Sequence, residues 1–146
     1  MHSISDASLP HLADKVSPAT GRPMLEFATS ALGRELFRQA LAADPGLDAV
    51  FCNNDILALG VLFECLQRGI RVPEDMGIAG FNDLDFMEAA EPSLSSVRTY
   101  RYRVGHSAVA AIRDELAGKP AEQRIVDVGT DVMARRSTDR RRALPG

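Results

Sequence analysis

The chain has 146 residues, of which 45% are hydrophobic and 25% are charged, a balance typical of one globular domain. Its formal net charge of −3 gives the chain as a whole no electrostatic basis for binding nucleic acid. No stretch has the roughly 18 apolar residues of a membrane span, and the N-terminus lacks the apolar core of a signal peptide, so we expect a cytoplasmic protein.

The first part of the chain predicts a loosely ordered segment, a strand and a helix. Residues 1–22 show no sustained hydrophobic period, so we expect a loop there. Residues 24–28 (MLEFA) form a short apolar run that is consistent with a strand. Ser30 can cap a helix that extends to about Ala43, and the turn residues 44–46 (DPG) end it.

The middle of the chain predicts a strand over residues 48–52 (DAVFC) and a helix over residues 56–68, which Gly69 ends. This helix carries two apolar stripes on different faces, whereas a helix that lies on a sheet needs only one. The second stripe must therefore be covered, either by another part of this chain or by a second subunit. Gly60 in mid-helix costs about 1 kcal/mol relative to Ala, which the close approach of another backbone would explain.

The last part of the chain predicts strands over residues 76–80 and 95–99, a helix over residues 103–117 and a final strand over residues 124–129. Two cysteines lie in apolar segments, and we interpret them as small buried hydrophobic residues. Alternating strands and helices with short links favour parallel βαβ units. The predicted fold class is α/β, a parallel sheet flanked by helices.

Polar residues follow two of these strands where each strand ends. The two groups are Asn53, Asn54 and Asp55, and Phe81, Asn82 and Asp83. Ligands of parallel sheets bind at the carboxyl ends of the strands, and amides, carboxylates and one aromatic ring suit a hydroxyl-rich ligand. Each group also has a purely structural interpretation, as a helix cap worth about 1 kcal/mol or as turn residues.

Patterns typical of enzymes are missing from the sequence. The three histidines are scattered without metal-ligand spacing, and we find no P-loop, dinucleotide fingerprint or nucleophile elbow. Asp83 and Asp85 are two positions apart on a predicted loop, with nothing to raise the pKa of either. We therefore expect no enzymatic activity, no metal and no cofactor.

The order of several motifs resembles one protein family. LDAVFCNNDILALGVLFECLQRGIRVPEDMGIAGFNDLDF, then EPSLSSVR, RYRVGHSAV and DVMARRST, resemble the LacI/GalR family of bacterial transcriptional regulators over about residues 24–138. FCNNDILALGVLFECLQRGI looks most like the gluconate-regulator branch. The resemblance implies part of a type I periplasmic-binding-protein-like domain, whose two subdomains close on a small effector. The effector-binding residues would be Asn54, Asp55, Phe81, Asn82 and Asp83, and the dimer interface would include Leu57, Leu59, Gly60 and Phe63.

A complete regulator of this family would also have a helix-turn-helix and a hinge helix. We therefore expect a truncated regulator, with a partial effector-binding domain over residues 23–138 and a basic tail over residues 139–146. Binding of a sugar or sugar acid such as gluconate should be weak or absent, and the apolar face of helix 103–117 should be exposed. The expected partner is a second copy or a full-length regulator, and DNA would be contacted only by the missing domain. The alternatives are a stand-alone dimerisation module or a soluble sugar-binding domain.

Overall fold

The computed structural model describes residues 28–119 and 125–140. In chain order their elements are α1 (Ser30–Ala43), β1 (Ala49–Phe51), α2 (Asp55–Arg68), β2 (Gly77–Asn82), α3 (Phe86–Ala89), β3 (Ser95–Thr99), α4 (Arg101–Leu116), β4 (Thr130–Met133) and a 3-10 turn (Arg136–Thr138). The strand predicted over residues 24–28, the segment 1–22 and most of the basic tail lie outside the described residues.

The sheet has the strand order β1-β2-β3-β4. β1 pairs with β2 and β2 with β3 in parallel, whereas β4 runs antiparallel to β3. The predicted α/β class is thus confirmed, with one antiparallel strand at an edge.

The prediction of a final strand over residues 124–129 is wrong for the described residues 125–129. A turn occupies its end, because Gly129 has φ 75° and its N–H donates to Asp127 Oδ1 at 2.8 Å. The strand therefore starts at Thr130, immediately after this turn. Its residues pair with β3 from Thr99 back to Ser96.

The core forms where α2 packs on the sheet. Its buried apolar residues come from α1, α2, the first two strands and the segment around α3: Phe37, Val50, Ala58, Val61, Leu62, Cys65, Met76, Ile78, Met87 and Leu94. Cys65 is one of them, as the sequence predicted, and burial is the main reason why the pKa of its thiol rises to about 12.

The second apolar face of α2 is covered by α1 of the same chain. A methyl group on Gly60 would lie 2.1 Å from the carbonyl oxygen of Ser30, and one on Gly33 would lie 2.3 Å from the carbonyl oxygen of Leu57. The predicted close approach of a backbone at Gly60 is confirmed. The expectation that Gly60 lies in a dimer interface needs correction, because the space beside Gly60 is already filled by α1.

Both long helices of the core begin at side-chain caps. Thr29 Oγ1 accepts a hydrogen bond from the N–H of Leu32 at 3.1 Å, so the cap of α1 is Thr29 and the predicted Ser30 is the first helical residue. Asn54 Oδ1 accepts from the N–H of Ile56 at 2.8 Å and caps α2, as the structural interpretation of its group predicted. These bonds satisfy backbone donors that a helix N-terminus leaves free.

The end of α2 also follows the predicted chemistry. Gly69 adopts the left-handed conformation with φ 69°, and the N–H of Ile70 donates to the carbonyl oxygen of Cys65 at 2.9 Å. This is the hydrogen-bond pattern of a Schellman motif, which satisfies the free carbonyl groups of the last turn.

One buried carboxylate joins α1 to α2. Glu64 is 3% exposed, and its oxygens accept from Nε of Arg34 at 3.0 Å, of Arg38 at 3.0 Å and of Arg68 at 2.7 Å. The hydrogen bonds from Arg38 and Arg68 are the main reasons why the pKa of Glu64 falls to about 2.

The segment after β4 returns to the core through Ser137, which is fully buried. Its hydroxyl donates to the carbonyl oxygen of Ile78 at 2.6 Å and accepts from the N–H of Ser95 at 2.8 Å. Further on, Arg140 donates to the carbonyl oxygen of Asp48 at 2.6 Å. The first residues of the predicted basic tail therefore lie against the body of the protein.

α4 differs from the other long helices because none of its residues, all of which are described, is buried. Val109 is 67% exposed, Ile112 is 61% exposed and Leu116 is 84% exposed. The expected exposure of this apolar face is confirmed.

Candidate functional site

Three neighbouring parallel strands end at one edge of the sheet. Asn53 to Asp55 follow β1, Asn82 and Asp83 stand at the end of β2, and Arg98 and Thr99 stand at the end of β3. The parallel pairing places the two predicted groups at one edge and adds the end of β3 to them. We refer to Asn54, Asp55, Asn82, Asp83, Ser96, Arg98 and Thr99 as the polar edge.

Asp55 is the structural centre of the polar edge. Its carboxylate is fully buried, and its oxygens accept from Ser96 Oγ at 2.7 Å and from the N–H of Leu84 at 2.6 Å. Ser96 Oγ also accepts from the N–H of Asp83 at 3.0 Å. A methyl group on Gly80 would lie 2.4 Å from Asp55 Oδ1, so glycine there makes room for the carboxylate. Asp55, expected to contact a ligand, is thus engaged by protein groups on both oxygens.

Asp83 is also enclosed by protein groups, with its side chain 4% exposed. Arg98 places Nε and Nη2 2.7 Å from Asp83 Oδ2, and Arg135 places Nη1 2.7 Å from Oδ1. Burial alone would raise the pKa of Asp83, but the two guanidinium groups outweigh it and lower the pKa below its ordinary value. Asp83 is therefore ionised and held between two arginines, of which Arg98 is the more exposed.

Asn82 and Asp83 both have positive φ angles, 110° and 54°. Residues other than glycine seldom adopt this region, although Asn and Asp tolerate it best, and such strain is often found at functional sites. Asn82 Oδ1 accepts from Thr99 Oγ1 at 3.3 Å, and Asn82 is half-buried. Among the described residues its side-chain NH2 group donates to no protein atom, which leaves it available to a ligand.

The remaining predicted residues surround these groups. Asn54 is half-buried and uses Oδ1 for the helix cap, so its NH2 group has no acceptor among the described residues. Phe81 is half-buried and Asn53 is exposed at the same edge. Among the described residues, two amide NH2 groups at the polar edge thus have no protein acceptor, and the side chain of Arg98, which pairs with Asp83, is 42% exposed.

Sequence reasoning missed Ser96, Arg98 and Arg135. Arg98 could have been found by counting along the predicted strand 95–99 to its carboxyl end, where residues join those of its neighbour. Ser96 is the second residue of that strand, and its contact with Asp55 depends on the register between β2 and β3. Arg135 offered no such signal, because its contact with Asp83 depends on how the segment after β4 returns to the sheet.

Two surface depressions have linings that include no residue of the polar edge. One, of about 860 Å³, is lined by Glu88, Ser93, Ala134, Arg135, Arg136, Thr138 and Asp139, and Arg135 also contacts Asp83 of the polar edge. The other, of about 460 Å³, lies between α4 and the segment before β4. Within residues 28–119 and 125–140, no group of three or more His, Cys, Asp or Glu side chains is arranged to hold a metal ion. No helix in these ranges is both long and apolar enough for a membrane crossing.

Several known proteins are similar to this chain in sequence and in fold. Residues 3–138 match the family model of the periplasmic binding protein-like domain. The HTH-type transcriptional regulator GntR of Pseudomonas aeruginosa is 46% identical over 108 residues, which are 74% of this chain and 32% of that protein. The transcriptional repressor CytR of Escherichia coli is 33% identical over 119 residues, 80% of this chain and 33% of that protein. The chain thus spans about a third of the length of these relatives.

Solved structures agree with the sequence matches. The transcription regulator GntR from Chromobacterium violaceum superposes with a TM-score of 0.72 at 38% identity, over 82% of this chain and 42% of that chain. The complex of the regulator CelR with cellobiose gives a TM-score of 0.70 at 31% identity, over 75% of this chain and 33% of that chain.

Proposed function

Because the chain belongs to the periplasmic-binding-protein-like domain family, within the LacI type of transcriptional regulators, we propose that it is the effector-binding and dimerisation portion of such a regulator. Its effector would be a sugar or a sugar acid such as gluconate, and its location would be the cytoplasm. Homologues of the chain are transcriptional regulators, which argues against enzymatic activity.

One observation carries the effector proposal. The amides of Asn54 and Asn82 stand at the carboxyl ends of strands β1 and β2, and both have NH2 groups without an acceptor among the described residues. Asp55 supports both positions, because it begins α2 and holds the N–H of Leu84 just after the positive-φ residues. Amide groups arranged in this way suit the hydroxyl groups of a sugar, and a regulator similar to this chain is known in complex with cellobiose.

The test is a titration followed by the NMR signals of the side-chain amides. We expect gluconate to shift the signals of Asn54 and Asn82 with a Kd near 1 mM, about −4 kcal/mol, because the chain spans only about a third of its relatives. Asn54→Asp keeps the helix cap but removes the NH2 donor, so it should weaken binding without lowering stability. Asn53→Asp is the matched control. No shift with gluconate, glucose or cellobiose at about 50 mM, fifty times that Kd, would refute effector binding.

A second observation favours dimerisation through α2. Phe63 is 44% exposed and Leu66 is 59% exposed, and Leu59 on the same stripe is half-buried. These apolar side chains lie on the outside of a helix whose other faces pack on the sheet and on α1, so we propose that they meet a second copy or a full-length regulator. Leu57 is also half-buried and stays within the proposed interface, whereas Gly60 contacts α1.

Analytical ultracentrifugation tests this interface. Phe63→Asp should convert a dimer into a monomer with unchanged helix content, because a charge would be buried without a partner. Leu116→Asp on α4 introduces the same charge at a residue that is 84% exposed and should leave the dimer intact. A dimer that survives Phe63→Asp but dissociates in Leu116→Asp would place the interface on α4 instead.

A further inference from the structure

We propose that Arg98 selects an acidic effector by binding the carboxylate of a sugar acid at the polar edge. This inference rests on the proposed function and narrows its ligand class. Arg98 pairs in register with Asn82 across β2 and β3, so its guanidinium belongs to the same edge as the Asn82 amide. A ligand that donates or accepts at Asn82 would therefore lie beside Arg98.

Among the charged side chains of the polar edge, that of Arg98 is the exposed one. Asp83 has two guanidinium partners, and Arg135 is the more buried of them, with its side chain 13% exposed and Nη1 also donating to the carbonyl oxygen of Leu94 at 2.9 Å. The side chain of Arg98 is 42% exposed. Two other carboxylates lie nearby. Asp55 is fully buried and hydrogen-bonded on both oxygens, and Asp131, which pairs with Arg98 across β3 and β4, accepts a hydrogen bond from the hydroxyl group of Tyr100.

Within residues 28–119 and 125–140, Arg98 also keeps donors without a protein acceptor. Its Nε and Nη2 both approach a single oxygen, Asp83 Oδ2, at 2.7 Å. An arginine has five N–H donors, so the Nη1 side of the guanidinium is left for a second acceptor. Because a guanidinium matches the geometry of a carboxylate and forms charge-assisted hydrogen bonds with it, the natural second acceptor is the carboxylate of a ligand.

The neighbouring side chains complete the selection. Asn82 is an amide and adds no negative charge beside the guanidinium, while Asn54 offers another NH2 donor at the next strand end. A sugar acid would place its carboxylate at Arg98 and its hydroxyl groups at the amides. A neutral polyol of the same length would have only the amide contacts.

The experiment compares D-gluconate with D-glucitol, which has a hydroxymethyl group where gluconate has its carboxylate. In an NMR titration of the chain we expect gluconate to bind at least about tenfold more tightly, since one hydrogen bond to a charged group is worth about that factor. Arg98→Met should bring the ratio of the two affinities close to one, and Arg98→Lys should give an intermediate ratio. Raising the salt from about 20 to about 300 mM should reduce the gluconate preference, because the guanidinium is partly exposed to solvent.

Arg113→Met is the control, since it removes the same charge from an exposed residue of α4 and should leave the ratio unchanged. Thermal unfolding checks that Arg98→Met is folded, which we expect because Arg135 still pairs with Asp83. If Arg98→Met does not fold, the Arg98→Lys ratio decides: an unchanged ratio overturns the assignment and a reduced ratio supports it.

The outcomes separate this inference from the function on which it rests. Binding of neither compound to the unmodified chain would refute effector binding and the role of Arg98 together. Equal binding of both compounds, or a gluconate preference that survives in Arg98→Met, would leave effector binding standing and overturn the role of Arg98.

Discussion

α2 and α4 are helices of similar length with opposite surroundings. α2 has 14 residues and buries Ala58, Val61, Leu62 and Cys65 among others, whereas α4 has 16 residues and buries none. Both carry an apolar stripe and a glycine in mid-helix. Gly60 touches the backbone of α1, whereas a methyl group on Gly105 would meet nothing within 4 Å. An apolar stripe therefore shows that a helix face needs cover, while only the packing shows whether this chain supplies it.

The largest expected effect comes from exchanging glycine for alanine in each helix. Alanine favours a helix by about 1 kcal/mol over glycine at either position. Gly60→Ala should nevertheless lower the free energy of unfolding by about 3 kcal/mol, because its methyl group would overlap the carbonyl oxygen of Ser30. Gly105→Ala should raise it by up to about 1 kcal/mol. Urea unfolding of both variants measures the difference, and equal shifts would show that α1 does not pack on α2 as described.

A smaller loss is expected at the polar edge. Asp55→Ala leaves the buried N–H of Leu84 and the hydroxyl of Ser96 without their acceptor, at a cost of about 2 to 3 kcal/mol. Asp114→Ala on α4 removes a carboxylate whose side chain is 45% exposed and should change stability by less than about 0.5 kcal/mol. Urea unfolding of both variants measures the two changes in the free energy of unfolding. An Asp55→Ala variant with an unchanged free energy of unfolding would mean that water replaces the carboxylate.

Acid should weaken the contact between α1 and α2 through Glu64. Its pKa is about 2 in the folded protein and has an ordinary value of 4.5, so the stabilisation is complete above pH 4.5 and is lost as the pH falls toward 2. Glu64→Gln should cost about 2 kcal/mol at pH 7 and make unfolding less dependent on pH in this window. Melting curves from pH 6 to about pH 2 measure it. If the stability of Glu64→Gln falls with pH as steeply as that of the unmodified chain, other carboxylates cause the acid sensitivity.

The smallest effect on stability is expected at the apolar face of α4. Ile112→Ser replaces a side chain that is 61% exposed, so the free energy of unfolding should change by less than about 0.5 kcal/mol. Binding of a dye that detects apolar surface should fall, because such patches bind apolar molecules. Unchanged dye binding together with a loss of more than about 1 kcal/mol would show that Ile112 is covered in solution.

Local chemistry made the ends of α2 predictable from the sequence. Asn54 and Gly69 act within one or two residues of the groups that they satisfy, so the sequence indicates both positions directly. The partner of Gly60 was left open because it lies on α1, far away along the chain. The final strand was misplaced because Ile125, Val126 and Val128 have the composition of a strand, whereas the pairing with β3 begins only at Thr130, after the turn at Gly129.

The candidate site was predictable only in part, for the same reason. Parallel strands bring their carboxyl ends to one edge, so Asn54 and Asn82 could be placed together from the pattern of strands. The sequence did not reveal that Asp55 is buried or that Arg98 faces Asp83, because both facts depend on the register between β2 and β3. Arg135 required in addition the return of the chain after β4.

The buried hydroxyl of Ser137 has a consequence for synthesis on the ribosome. Its partners Ser95 and Ile78 are made 42 and 59 residues earlier. Until Ser137 leaves the exit tunnel, the N–H of Ser95 and the carbonyl group of Ile78 must stay bonded to water. Closing the longer of the two loops costs only a few tenths of a kcal/mol more than closing the shorter one. The turn that carries Ser137 thus forms these hydrogen bonds only after all four strands have been made, and at little entropic cost.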